Sequence, residues 1–231
     1  MEEPIYFSID FKTRSKCEKI NKEYNQGKFI GKGAYGKVYE LCLKEDCKYI
    51  LKVIKYDNTV YLNTGQDKLS YKSYYNRWEK EVEIHRVIEE CQKGFKYTFA
   101  PHIYDAWYCI EDNEDSYFFI VMEKFDGNLY DFMNKYKNKN DTIRKLINTI
   151  VSSTLDRLNL SLDYIHKKCK ICINDIKPDN ILYKECKDDF LFVFADFGLS
   201  DKIQDESCKT KDIDRLINTI NIVLSEMKKE D

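Results

Sequence analysis

The 231-residue sequence has few chain-breaking residues. Three prolines and eight glycines exclude collagen-like and proline-rich architectures and leave long stretches open to regular structure. It has no surplus of one charge. Lys and Arg number 38 against 40 Asp and Glu, a net charge of −2, so nothing favours nucleic acid as the main partner. No apolar run is long enough to cross a bilayer. The start, Met1-Glu2-Glu3-Pro4, lacks the basic-then-apolar order of a signal peptide. Nine scattered cysteines are an odd number and fit no closed disulfide framework, which implies reduced thiols in a cytoplasmic protein. Cys169 and Cys172 form one CxxC. A zinc site wants a second such pair, so this one reads as a loop before a buried strand.

What is present is core-forming material, 43% hydrophobic and 14% aromatic, enough for one large domain or two small lobes. Richness in Lys, Asn, Ile and Tyr is associated with AT-rich genomes, such as those of large DNA viruses or protists. Near the front, Gly31-Lys32-Gly33-Ala34-Tyr35-Gly36 runs into Lys37-Val38-Tyr39-Glu40-Leu41. G-x-G-x-x-G also marks dinucleotide-binding turns, but those need a helix next. Here the sequel has the partial alternation and β-formers of a strand. Such a hairpin can lay backbone N–H groups over phosphates, because glycine permits close approach. Tyr49–Ile54 predicts the next strand, and Lys52 inside it is expensive to bury without a partner. Residues 56–76 are a polar insert with five tyrosines, expected as a surface loop with some ordered packing. Apolar residues at 78, 82, 84, 87 and 88 predict an amphipathic helix, on which Glu79, Glu81 and Glu83 are possible partners of Lys52. His85 reads as a surface or packing residue.

A buried strand over Tyr117–Glu123 leads to Lys124-Phe125-Asp126-Gly127. A short helix over 129–136 and a long one over 141–167 follow, the latter ending in Tyr164-Ile165-His166. Then Asp175-Ile176-Lys177-Pro178-Asp179-Asn180 sets a carboxylate, an amine two residues on and an amide five residues on, and Asp196-Phe197-Gly198 follows an apolar run. An Asp to accept a hydroxyl proton, a Lys to meet phosphate, and an Asn and Asp to hold a metal are what phosphoryl transfer needs.

In this order the motifs resemble those of eukaryotic-type protein kinases, over about residues 24–224. The resemblance implies an α+β, two-lobe protein-kinase-like fold. Residues 1–123 would form an N-terminal lobe, a five-stranded antiparallel sheet plus helix C. Residues 124–231 would form a shortened, mainly helical C-terminal lobe, with a hinge near 123–127. It implies ATP and Mg²⁺. ATP would meet Ile30, Gly31, Lys32, Gly33, Ala34, Tyr35, Gly36, Lys37 and Val38. Lys52 would hold its α- and β-phosphates, paired with Glu81, the glutamate whose following Val-x-Ile fits the family. Met122 would gate the adenine pocket, and the backbone of Glu123–Phe125 would bond the purine. Asp175 would be the catalytic base, Lys177 would steady the γ-phosphate, and Asn180 and Asp196 would hold Mg²⁺. His166 would be structural, and Asp214 or Asp212 would brace the catalytic loop.

Three departures stand out. Ile50 occupies a position, two before the lysine, that is usually small. Ile173-Asn174 replaces His-Arg before the catalytic Asp. That Arg normally pairs with a phosphorylated activation loop, so activity here would not wait for such a phosphate. Only 33 residues follow Gly198 (231 − 198), without an Ala-Pro-Glu motif, so a protein substrate would be held by the 56–76 insert or by a partner protein. The expected function is transfer of the γ-phosphate of Mg·ATP to Ser or Thr hydroxyls of a protein. Alternatives are a nucleotide-binding decoy docked on another kinase or scaffold, and a small-molecule kinase, a class in which a Lys at position 177 is unusual. Neither nucleic acid nor membrane is expected as a partner.

Overall fold

The computed structural model describes residues 13–14, 24–32, 36–43, 46–56, 71–110, 116–137, 139–187 and 189–228. Gly33, Ala34 and Tyr35, most of the leading segment, residues 57–70 of the insert and the turn at 112–115 lie outside them. The chain forms two compact units, Met1–Val82 with His102–Lys124, and Glu83–Pro101 with Phe125–Asp231. A single break at 123/124 takes no account of residues 83–101. They join the second unit because Ile84, Ile88, Phe99 and Ala100 lie in its core.

The first unit is a sheet of β1 (Thr13–Arg14), β2 (Tyr24–Lys32), β3 (Lys37–Leu43), β4 (Asp46–Tyr56), β5 (Ile103–Ile110) and β6 (Ser116–Glu123). Their spatial order is β1-β5-β6-β4-β3-β2. Strands β2 to β6 form the expected five-stranded antiparallel sheet, and the two-residue β1 adds a parallel edge. Side chains alternate between faces. Ile54, Ala106, Phe118 and Ile120 pack with Trp78 and Val82 of α1 (Tyr71–Gln92). Leu41, Leu51, Trp107 and Val121 form a second cluster.

Helix α1 begins at Tyr71, so the last part of the expected surface loop is helical. Tyr56, Tyr71, Tyr74 and Tyr75 pack against the helix-covered cluster. Tyr75 lies edge-on to Tyr108 at 5.2 Å, and its hydroxyl donates to Glu79 at 2.9 Å. Burial, with that bond in support, pushes its pKa up to about 12. A tyrosine counts as polar in a hydropathy pattern, yet it buries a large ring when its hydroxyl finds a partner.

In the second unit, β7 (Gly127–Asn128) leads into α2 (Leu129–Tyr136), closed by a reciprocal capping box between Asn128 and Asp131. Helix α3 (Asp141–Tyr164) runs on into a wide π turn over Ile165–Cys169. Next come β8 (Ile171–Cys172), β9 (Ile181–Cys186), β10 (Asp189–Phe194), β11 (Asp201–Lys202) and α4 (Ser207–Lys228). Strands β10-β9-β7 form one small sheet and β11-β8 another. The core joins Leu129 and Phe132 of α2, Leu158 and Leu162 of α3, Leu216 and Val223 of α4, and the apolar flanks of the loops. Among the described residues no helix is long and apolar enough to cross a membrane.

The cysteines depart from the expectation of free thiols. Cys42 and Cys47 are bonded across the β3–β4 turn, Cys172 and Cys208 join β8 to the start of α4, and Cys109 is also disulfide-bonded. Linear spacing cannot show which sulfurs meet in space. Cys91, Cys169 and Cys186 are free. Burial, with Cys91 beside it, holds the Cys169 thiol protonated well above its ordinary range. Alkylation of the native protein without reductant is expected to label the exposed Cys186, but to reach Cys42, Cys47, Cys172 and Cys208 only after reduction. Peptide mass mapping reads this directly, and labelling of either pair without reductant would contradict the bridges.

Candidate active site

In the first unit, Lys52 sits mid-strand in β4 with both sheet neighbours in place. Its amine donates to Glu81 Oε1 at 2.6 Å, and both side chains are nearly buried. This meets the demand that a buried ammonium be paired. Removing either partner would strand the other charge, at a cost of roughly 3–5 kcal/mol. Cross-strand register places Val38, Lys52 and Ile120 in one row and Glu40, Ile50 and Met122 in the next. Directly opposite residues share a face, so Val38, Ile50 and Met122 stand on the same face as the ammonium, with Glu40 beside them.

Of the Gly-rich segment, Ile30, Gly31 and Lys32 close β2 while Lys37 and Val38 open β3. A Cβ on Gly36 would come within 2.7 Å of the Val53 carbonyl oxygen, whereas one on Gly31 would meet nothing within 4 Å. Packing on β4 therefore requires glycine at 36, while the space over Gly31 is open. At the far end of β6, the Glu123 N–H donates to His102 O at 2.8 Å and the Lys124 N–H to Lys48 O at 3.0 Å. Phe125 belongs to the second unit, buried under the Lys184 amine at 5.6 Å.

The second unit holds the loop that follows β8. Asp212, in the second turn of α4, is fully buried. Its Oδ2 accepts from the Ile173 N–H at 2.7 Å and meets His166 Nε2 at 3.1 Å. Its Oδ1 accepts from the Asn174 N–H at 2.8 Å. Of the two aspartates proposed as the brace, it is Asp212, and Asp214 is exposed. Cys172 Sγ also lies close to His166 and Asp212. Its bond to Cys208 and the occupied Asp212 oxygens make this cluster scaffolding.

On that brace the polar residues converge. Asp175 Oδ2 accepts from Lys177 Nζ at 2.7 Å and from Asn180 Nδ2 at 2.8 Å. The same Nδ2 donates to the Asp175 carbonyl at 2.9 Å. With its NH₂ committed there, the Asn180 amide turns its oxygen the other way. The Ala195 N–H donates to Asn180 O at 2.8 Å, which brings the residue before Asp196 against Asn180. Asp196 has a left-handed backbone, φ 59°, at the head of a tight turn over Phe197–Leu199. The bond to Asp175 raises the Lys177 pKa above its ordinary value, against desolvation, and Asp179 and Asp196 add to the rise. Because the shift is upward, the ammonium persists through neutral pH, and the pairing is lost only as pH climbs past the raised value. An amide oxygen and a carboxylate fixed this way are hard oxygen donors, suited to Mg²⁺.

His85 is a packing residue, one of the two roles its sequence context allows. It is buried in α1, bonded through Nε2 to the Pro101 carbonyl at 2.7 Å, and its ring stands edge-on to Phe197 at 5.0 Å. The residue thus supports the Asp196 turn through its phenylalanine. Nothing beside it in the sequence signalled this.

A sheet with a paired internal lysine, and an Asp–Lys–Asn loop braced from below by a helix carboxylate, is the layout of the protein-kinase fold class. The protein kinase domain family model matches residues 24–219, and the chain belongs to that family. It is 32% identical over 183 residues to a probable serine/threonine-protein kinase, fhkA, of Dictyostelium discoideum, covering 78% of this chain and 27% of that protein. It is 27% identical to the SNF1-related protein kinase catalytic subunit alpha KIN12 of Arabidopsis thaliana, covering 84% and 33%. To mitogen-activated protein kinase kinase 5 of Leishmania mexicana it is also 27% identical, covering 87% and 31%. The chain thus spans about a third or less of the length of these relatives.

Replacing Asp212 with Ala unpairs two N–H groups and a histidine. At about 1–3 kcal/mol for each buried group left unsatisfied, the variant is expected to lose about 3–5 kcal/mol in urea unfolding. A loss below about 1 kcal/mol would contradict the brace.

Proposed function

We propose that this kinase domain transfers the γ-phosphate of Mg·ATP to Ser or Thr hydroxyls of a protein. The observation that carries the reading is the Asp175 carboxylate held by Lys177 and Asn180 at hydrogen-bond distance. A hydroxyl placed at Asp175 gives up its proton to that carboxylate as its oxygen bonds the γ-phosphorus, and the bond from phosphorus to the β–γ bridging oxygen breaks. Lys177, released from Asp175 toward the phosphate, offsets the negative charge of the transferring group. Lys52, oriented by Glu81, meets the α- and β-phosphates. Asn180 and Asp196 would hold Mg²⁺, which would supply Lewis-acid neutralisation of the phosphate charge. The purine lies against Val38, Ile50 and Met122.

Acceptor choice rests on Lys177, two residues after the Asp, and on relatives named as serine/threonine kinases. The mitogen-activated protein kinase kinase among the relatives makes tyrosine the acceptor to test against. A nucleotide-binding decoy has no need of Asp175, and a small-molecule kinase seldom carries a lysine where Lys177 stands.

With labelled ATP and a general protein acceptor, the wild type is expected to label Ser and Thr, read by phosphoamino-acid analysis. Asp175→Ala is expected to lower the rate by about 10³-fold or more while ATP binding is retained. Equal rates in the two proteins would overturn the role of Asp175. Binding without turnover in both would favour the decoy.

A further inference from the structure

Asn174 stands where the family carries the arginine that grips a phosphorylated loop, and its own geometry points to a substitute. Its backbone is left-handed, φ 65°, a conformation that Asn tolerates better than most residues. The turn is fixed by the bond from its N–H to Asp212. In that pose its Nδ2 donates to the carbonyl of Leu199 at 3.1 Å, the residue directly after Asp196-Phe197-Gly198. Next along, the Ser200 hydroxyl donates to Ile173 O at 2.9 Å. Asp201 and Lys202 then pair antiparallel with Cys172 and Ile171, and the Ile203 N–H donates to Lys170 O at 2.8 Å. Five consecutive residues, from the last of the turn onward (199–203), are thereby zipped onto the five consecutive residues before Asp175.

We propose that Asn174 is a positioning residue that fastens the segment after Asp196-Phe197-Gly198 to the catalytic loop, so that Asp196 is held in place with no phosphate on that segment. This rests on the phosphotransfer reading above. The physical reason lies in the flanks of Asp196. Upstream, the Ala195 N–H ties it to Asn180. Downstream, Phe197 is fully buried and the Ser200 N–H closes the tight turn on Phe197 O at 3.0 Å. The carbonyl that Asn174 grips lies inside that turn. Releasing it removes one fastening of the downstream flank and leaves the buried Phe197 ring and the two Ser200 bonds to hold Asp196 on that side.

Asn174→Gly tests this. Glycine takes the left-handed backbone without strain, so the fold is retained and only the amide is lost. One hydrogen bond of ordinary strength corresponds to about a tenfold change in a local opening equilibrium. Amide exchange over 199–203 is therefore expected to quicken about tenfold, with a melting temperature lowered by only about 2–4 °C. kcat is expected to fall with little change in KM for ATP. Ser200→Ala, which leaves the backbone at 174 untouched, is expected to quicken exchange in the same segment. Phosphatase treatment of the wild type is expected to leave exchange there unchanged. Unchanged exchange in Asn174→Gly, or loosening of the wild type by phosphatase, would overturn the proposal. The exchange signature needs no catalysis. A wild type that shows it but transfers no phosphate would sink the phosphotransfer reading and leave the clamp standing.

Discussion

One buried carboxylate holds the second unit together. Asp212 has no exposure to solvent, and a charge in such a place is tolerated only when hydrogen bonds replace the water it has lost. Two backbone N–H groups from successive residues and one histidine do so. Those donors belong to the segment ahead of Asp175 and to the π turn that closes α3. Helix α4 therefore cannot shift without disturbing the catalytic loop, nor the loop without the helix. The left-handed backbone at Asn174 is a conformation a non-glycine residue adopts at some cost, and the brace offsets it. Everything downstream, from the Asp175–Lys177–Asn180 triangle to the clamp on Leu199, is aimed by that turn.

The first unit solves a similar problem with an ion pair. Lys52 and Glu81 are nearly as buried as Asp212, and well-packed apolar residues could replace such a pair with little loss of stability. Val38, Ile50 and Met122 stand on the same sheet face as the ammonium, in rows that also hold Glu40 and Ile120.

How much of this was legible in the sequence follows the reach of each signal. Strands β3, β4 and β6 were readable because alternation and β-branched residues are local. The Asp–x–Lys–x–x–Asn loop and the Asp-Phe-Gly turn were readable because their chemistry is compact in sequence. Lys52 with Glu81 needed the family resemblance, since three glutamates lie within five residues and only packing selects one. What escaped was tertiary. Some ordered packing was legible in the tyrosine-rich insert, but not that Tyr71, Tyr74 and Tyr75 lie on a helix against the sheet cluster, because their hydroxyls mask the rings. A packing role for His85 was legible, but not what it packs on, because Pro101 and Phe197, its partners, are remote in sequence. Helical phase around Leu216 buries Asp212 and exposes Asp214, a distinction spacing alone left open. The disulfides depend on which sulfurs the fold brings face to face. The departure at Asn174 was visible from the start, but its grip on Leu199 becomes apparent only once the backbone angle at 174 is known.

The central claim is that Asn180 and Asp196 present oxygen ligands to a magnesium ion that carries ATP. Thermal melting of the wild type and of Asp196→Asn, each with ATP in the presence and absence of Mg²⁺, tests it most directly. At saturating nucleotide the wild type is expected to melt about 5 °C or more higher with ATP and Mg²⁺ together, and Asp196→Asn is expected to lose the part of that rise that depends on Mg²⁺. Identical melting of the wild type with and without Mg·ATP, or a full magnesium-dependent rise in Asp196→Asn, would contradict the assignment.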